Sequence, residues 1–293
     1  TMSLPDLNFS LSRFYPFRRK HQVGKERWYE KISMSYTGQL SNSIATKENK
    51  LLHSNLIKDW RNGMQHRIPI DATFQLFKYI NISPSFSFHD VMYTTRIMRN
   101  WDATTLREVA DTTYGFYNLY DWNVAVSANT PLYGFYKPWK KLFGSKIIAI
   151  RHVFKPNVSF SYAPDFTASR YGYTRHYDKT DASGNVERVP YSPYQSGIFG
   201  YPSSTKQGMV TMSVSNNLEM KVKSDKDTTG YKKISLIDEL SASLSYNMAA
   251  KTRQWSALTT RLRLKLTKSY TFSLAALFAT YAYVFASEGN GVV

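Results

Sequence analysis

Residues 261–281 read RLRLKLTKSYTFSLAALFATY, with a leucine at every second position of the opening half and a cation between each pair. Around a helix, alternate residues fall about 200° apart, so Arg261, Arg263 and Lys265 would scatter among the leucines over the whole circumference. A strand sorts them. Leu262, Leu264 and Leu266 then share one side and the three cations share the other. Past a turn at 267–269, Tyr270, Phe272, Leu274, Ala276 and Phe278 alternate with Thr271, Ser273 and Ala275. The two runs read as a β-hairpin with one aliphatic and one basic face. The uncharged stretch 269–287 nears the length of a membrane-crossing helix, but its Ser, Thr and Tyr content and its strand neighbours favour strand.

The same period of two returns along the whole chain. Leu7, Phe9 and Leu11 alternate with Asn8, Ser10 and Ser12; Ile32, Met34 and Tyr36 with Lys31, Ser33 and Ser35; Ile68, Ile70 and Phe74 with Arg67, Asp71 and Thr73. After a tight turn at 77–80, Ile82, Phe86 and Phe88 alternate with Ser83, Ser85, Ser87 and His89. Farther on, Trp122, Val124 and Val126 oppose Asp121, Asn123 and Ser127. Ile148, Ile150, Phe154 and Val158 oppose Arg151, Lys155, Asn157 and Ser159. Val210, Met212, Val214 and Leu218 oppose Thr211, Ser213, Glu219, Lys221 and Lys223, and Leu240, Ala242 and Leu244 oppose a serine series. This makes about ten strands, many of them longer than the ~5–6 residues usual in globular sheets and near the ~9–11 that a tilted membrane crossing requires.

Connection lengths alternate as well. Short links fall near 17–27, 77–80, 137–146, 224–233 and 267–269, and longer ones near 47–63, 99–118 and 164–206; the link at 250–255 breaks the rule. Short turns on one side and long loops on the other are the habit of an outer-membrane barrel. The expected fold is therefore all-β, a transmembrane antiparallel up-and-down β-barrel. It has about ten strands. Residues 1–293 are expected to form one outer-membrane β-barrel domain with a long extracellular loop at about 164–206. Aromatics where strands meet loops, among them Trp28, Trp101, Trp122, Trp139 and Trp255, suit the interfacial girdles of such a barrel.

Charge then orients the faces. The chain has 38 Lys and Arg against 21 Asp and Glu, a net charge of +17, which suits an anionic partner. A cation on the lipid face near the midplane costs ~2–4 kcal/mol, so three of them would consume the stability of a domain. The cations are expected to face water. Lys31, Arg67, Arg151, Lys155, Lys221, Lys223, Arg261, Arg263 and Lys265 are thus the expected lumen wall and cargo path, with few acids such as Asp71, Asp121 and Glu219. Ile32, Met34, Ile150, Val214, Leu244, Leu262, Leu264 and Leu266 are the expected lipid-facing set. A basic cluster in the short links, with Arg18, Arg19, Lys20, Lys25 and Arg27, then Lys137, Lys140, Lys141 and Lys146, reads as solvated turns.

Catalytic signatures are missing from the sequence. There is no cysteine, and the six histidines form no pair at metal spacing. Residues 225–236 open like a calcium loop but place Leu236 where a bidentate Glu belongs, so they read as a polar turn. No metal, cofactor or enzymatic activity is expected. Pro69, Pro84 and Pro156 each delete a ladder donor within a run.

Three stretches carry a resemblance: LPDLNFSLSRFYPF at 4–17, YSPYQSGIFGYP at 191–202, and NNLEMKVKSDKDTTGYKKISLIDELSASLSYNMAA at 216–250. With these the chain resembles the C-terminal barrel of the lipopolysaccharide-assembly proteins of the outer membrane, the LptD family, in its Bacteroidetes-type branch. The resemblance implies a non-enzymatic translocon in the outer membrane of a Gram-negative cell, whose barrel has many more strands than these, so that residues 1–293 are expected to be a partial barrel. It further implies lipopolysaccharide as cargo, periplasmic bridge proteins that supply it, a plug lipoprotein, outer-membrane lipid as surroundings, and no nucleic acid. A passive porin or nutrient receptor barrel is the alternative on the same architecture. A soluble basic all-β nucleic-acid-binding protein is the second, and it would need aromatics on the cationic face for base stacking, where mostly Ser, Thr and Asn stand.

Overall fold

The computed structural model describes residues 2–21, 23–47, 53–55, 58–138, 146–181, 183–225, 229–267 and 270–282. Among the described residues there are fourteen strands: β1 (Met2–Phe14), β2 (Ser33–Ile44), β3 (Arg61–Asp71), β4 (Phe74–Leu76), β5 (Ile80–Asp102), β6 (Arg107–Asn129), β7 (Leu132–Tyr136), β8 (Ile147–Ala163), β9 (Arg175–Thr180), β10 (Val186–Tyr191), β11 (Gln207–Lys223), β12 (Tyr231–Asn247), β13 (Leu258–Lys265) and β14 (Thr271–Phe278). Twelve form one sheet in the order β1-β2-β3-β5-β6-β8-β11-β12-β13-β14, with β4 on β5 and β7 on β8, while β9 and β10 make a separate hairpin. The order simply follows the chain. It ends at β1 and β14, so the sheet is not closed.

Backbone contacts divide the chain into two compact units, one of residues 1–73, 84–125 and 162–207, the other of 74–83, 126–161 and 208–293. In the first unit, Leu7, Phe9, Leu11 and Phe14 lie opposite Leu40, Gly38, Tyr36 and Met34, and Met34 lies opposite Ile70 and Ile70 opposite Phe86. In an antiparallel ladder directly opposed residues share a face, so these residues form one aliphatic side. Arg67 stands on the other side with Thr37 and His89 as its neighbours. The β2–β3 register passes from Met34/Ile70 to Thr37/Arg67 with no pair recorded at Pro69, where the proline offers no donor.

The second unit repeats the pattern. Leu240, Leu262 and Leu274 run across β12, β13 and β14 on one face, as do Leu264 with Phe272 and Val214 with Ala242. The opposite face carries Glu239 with Arg263, Ser241 with Arg261 and Ser215, and Ser243 with Ser213. The opening hairpin thus folds with the partners that its alternation requires. Leu240, Phe272, Leu274 and Phe278 are among its solvent-exposed apolar residues, a continuous greasy surface of the kind hydrocarbon would cover.

Three expectations about local structure are corrected. Lys31 belongs to a 3-10 turn, Trp28–Lys31, and Ile32 caps it, so neither lies on β2; Glu30 in that turn is seized by Arg19 and by the Arg27 N–H, which holds the backbone helical. The link expected at 99–118 is strand: β5 and β6 each run 23 residues and meet in a turn at 103–106. Its sequence, NWDATTLREVADTTYG, is polar on both faces, and that erased the alternation. The long 164–206 connection also contains the β9–β10 hairpin. Trp139, Lys140, Lys141 and much of 225–230 lie outside the described residues.

Candidate functional site

The polar face of the second unit carries a graded surface. Along its middle run hydroxyls and amides, with Thr211 Oγ1 2.9 Å from Ser245 Oγ and Asn157 Nδ2 donating to Ser213 Oγ at 3.5 Å. Toward the Lys223 end of β11 and the Tyr231 end of β12 the cations gather. Lys221 lies opposite Lys233, Lys223 opposite Tyr231, and the Lys221 ammonium sits 3.5 Å from the Tyr231 ring centre. A cation over an aromatic face is attracted by the ring quadrupole, so Tyr231 steadies an ammonium that no carboxylate among the described residues neutralises.

Between these zones lies a cavity of about 480 Å³ lined by Tyr133, Arg151, Lys155, Asn217, Glu219, Asp238, Glu239 and Arg263 among others. Arg151 Nη2 donates to Glu219 Oε2 at 2.6 Å, Arg263 Nε pairs with Asp238 Oδ2 at 2.7 Å, and Arg263 Nη2 approaches Glu239 Oε2 at 3.5 Å. Asp238 and Glu239 are sequence neighbours, which regular pleating would send to opposite faces. Register shifts on either side of Leu218 insert two extra residues into β12, and the local bend lets both carboxylates reach one guanidinium. Asn217 Nδ2 donates to Asp238 O at 2.9 Å and Asn216 Nδ2 to Leu240 O at 3.2 Å, pinning the irregularity.

The expected cationic set therefore separates into two groups. Arg151 and Arg263 are paired, whereas among the described residues no carboxylate engages Arg67, Lys155, Lys221, Lys223, Arg261 or Lys265. Alternation could not reveal this, since Asp238 and Glu239 break it. Of the expected lipid-facing residues, Met34, Ile150, Val214, Leu244, Leu262 and Leu264 share the aliphatic side with Phe14, Tyr136, Ala242, Met212, Leu274 and Phe272 in turn. The Leu266 N–H donates to Tyr270 O at 3.1 Å, extending the same hairpin.

In the first unit the polar face bears a cross-strand chain that composition did not announce. Gln39 Nε2 approaches Asp6 Oδ1 at 3.4 Å, Gln65 Nε2 donates to Gln39 Oε1 at 2.9 Å, and His89 links Gln65 Oε1 at 3.2 Å to Asp121 Oδ2 at 2.9 Å. Above it the long connection folds back. Phe166 and Tyr173 bury against Val91, Tyr93 and Leu119, residues of the same polar-face register. Burial pushes the Tyr173 hydroxyl up to about 12, so it stays protonated and donates to Tyr120 O while accepting from the Tyr120 N–H. Tyr93 Oη likewise donates to Gly200 O at 2.6 Å and accepts from Phe199 N. Among the described residues no group of acids and histidines is arranged to hold a metal, and no helix is long and apolar enough to cross a membrane.

The LptD protein family model matches residues 1–281. The chain belongs to the LptD family. No curated protein and no solved structure matches it. Membership supports a part in lipopolysaccharide transport and assembly at the outer membrane, and the large antiparallel sheet of this LptD-family chain agrees with a β-barrel fragment.

Proposed function

We propose that this chain forms part of the wall of an outer-membrane translocon that inserts lipopolysaccharide into the outer leaflet without chemically altering it. Residues 1–293 are one partial barrel in this reading, with the aliphatic faces in hydrocarbon and the polar faces toward an aqueous passage. The segment 164–206 is then extracellular. Periplasmic bridge proteins deliver the cargo and a plug lipoprotein accompanies it.

The observation that carries the reading is the collection of cations on one face of the second unit, with no carboxylate among the described residues paired to Lys155, Lys221, Lys223, Arg261 or Lys265. Ammonium groups in a confined, partly dehydrated space attract phosphate-bearing lipid headgroups strongly at short range. The hydroxyl-lined middle then offers hydrogen bonds that are easily exchanged, which a moving saccharide needs. Arg151 and Arg263, neutralised by their acids, shape the wall rather than hold cargo.

Photocrosslinking in cells tests this. A benzophenone amino acid at Lys221 or Lys155 is expected to capture lipopolysaccharide, and one at Leu244 to capture membrane phospholipid. Capture of lipopolysaccharide at Leu244 but at neither lysine would refute the proposed orientation.

A further inference from the structure

The first unit holds a second cavity, of about 240 Å³, whose lining includes Lys58, Asp59, Arg61, Tyr93, Arg96 and Tyr194. Its volume falls below the ~300 Å³ at which sites for drug-sized ligands begin. A headgroup fits; an acyl chain does not. Among the described residues three cations against one carboxylate leave two positive charges at its wall, and that carboxylate is occupied, since Asp59 Oδ2 accepts from Asn55 N at 2.7 Å.

Two further features point to a ligand. The Arg96 guanidinium lies over the Tyr117 ring at 4.8 Å and hydrogen-bonds to Tyr194, yet its Nε is buried and has no hydrogen-bond acceptor among the described residues. A buried donor without a partner costs about 1–3 kcal/mol, and charged groups cost more, so it is seldom left empty in a native site. Beside it, Tyr93 and Tyr194 stack at 6.2 Å with 18° between their planes and give a flat aromatic wall. The roof is fixed rather than loose: Arg61 Nη2 donates to Ser196 O, and Ile97 N donates to Pro193 O at 2.8 Å.

We infer that this cavity is a binding site for a phosphorylated sugar. A phosphate monoester carries about −1.5 to −2 charge at neutral pH and three acceptor oxygens, which matches the two excess positive charges and the idle Arg96 donor. The aromatic wall suits the apolar face of a pyranose. The inference rests on the transport reading only for the ligand's source, a phosphosugar of the glycolipid cargo at the loop-bearing end of the strands.

The test is calorimetric titration of the full chain in detergent micelles with glucose 6-phosphate, inorganic phosphate and glucose. Binding is expected for glucose 6-phosphate, and R96Q should weaken it about tenfold or more, as loss of a charge-assisted hydrogen bond implies. K58Q, an exposed position that folding does not need, should weaken it several-fold and flatten its salt dependence, while K251Q changes nothing. Undiminished binding by both R96Q and K58Q overturns the site. Equal affinity for inorganic phosphate overturns the sugar assignment. Intact lipopolysaccharide should displace glucose 6-phosphate and phosphatase-treated lipopolysaccharide should not; failure of the intact lipid to compete overturns the glycolipid source. Sugar-phosphate binding without crosslinks at Lys221 or Lys155 removes the transport reading alone, and crosslinks without such binding remove only this site.

Discussion

Glu30 sits in the link before β2, almost wholly covered, with Arg19 on both carboxylate oxygens and the Arg27 N–H on one of them. The Arg19 hydrogen bonds, helped by that backbone N–H, hold its carboxyl down at about 2, against an ordinary value of 4.5. A depressed carboxyl stabilises the fold above its unfolded value and loses that contribution as pH falls through the folded one. Order in residues 15–32 should therefore weaken between pH 4.5 and about 2, and E30Q should abolish this acid dependence in hydrogen exchange corrected for intrinsic rates. Gly38 makes a second residue-scale case. Tyr36 crosses it to place Oη 2.7 Å from His66 Nδ1, and a Cβ on Gly38 would meet that oxygen at 2.5 Å. G38A should expel the phenol and cost about 1 kcal/mol, the worth of one hydrogen bond, in urea unfolding; G38A in a Y36F background should cost less.

At the scale of the element, β12 carries two extra residues, and two one-residue bulges cancel. Lys233 and Ser241 consequently share a face although the ladder between them is irregular. Deleting Leu236 alone should replace the paired bulges by a one-residue slip and turn Tyr231 and Lys233 toward the aliphatic side, since such a slip inverts every side chain beyond it. Loss of the compact, heat-modifiable band on detergent gels is the expected result, and deletion of Leu236 together with Asp238 should restore it. N217A, which frees the Asp238 carbonyl, should cost about 1 kcal/mol by comparison. Retention of the band by the single deletion would show that the two irregularities are independent.

For the whole molecule, the decisive quantity is the cost of charge on each side of the sheet. Leu264 shares its face with Phe272, and Ser243 stands on the other with Ser213 and Thr259. L264R should destabilise the protein refolded in lipid vesicles by ~2–4 kcal/mol, as a lipid-facing arginine near the midplane does. S243R should change stability little, because water solvates its guanidinium. Equal losses from the two substitutions would mean that hydrocarbon does not distinguish the faces.

Much of this was legible in the chain. A strand sets successive side chains on opposite faces whatever its neighbours do, so the grouping of Leu262 with Leu264 and of Arg261 with Arg263 and Lys265 is a local consequence of covalent geometry. The same holds for the aliphatic sides of β1, β2, β8 and β11. What alternation does not contain is anything set by partners distant in sequence. Asp238 and Glu239 reach Arg263 only through bulges whose carbonyls Asn216 and Asn217 hold from the next strand. The polar runs of β5 and β6 became strand because they pair with each other, and the cavity beside Arg96 exists because residues 193–198 return to cover it. Sequence by itself determined which side chains share a face; tertiary pairing decided which charges are neutralised and which are left to meet a ligand, because electrostatic partnership depends on distances that only the folded sheet defines.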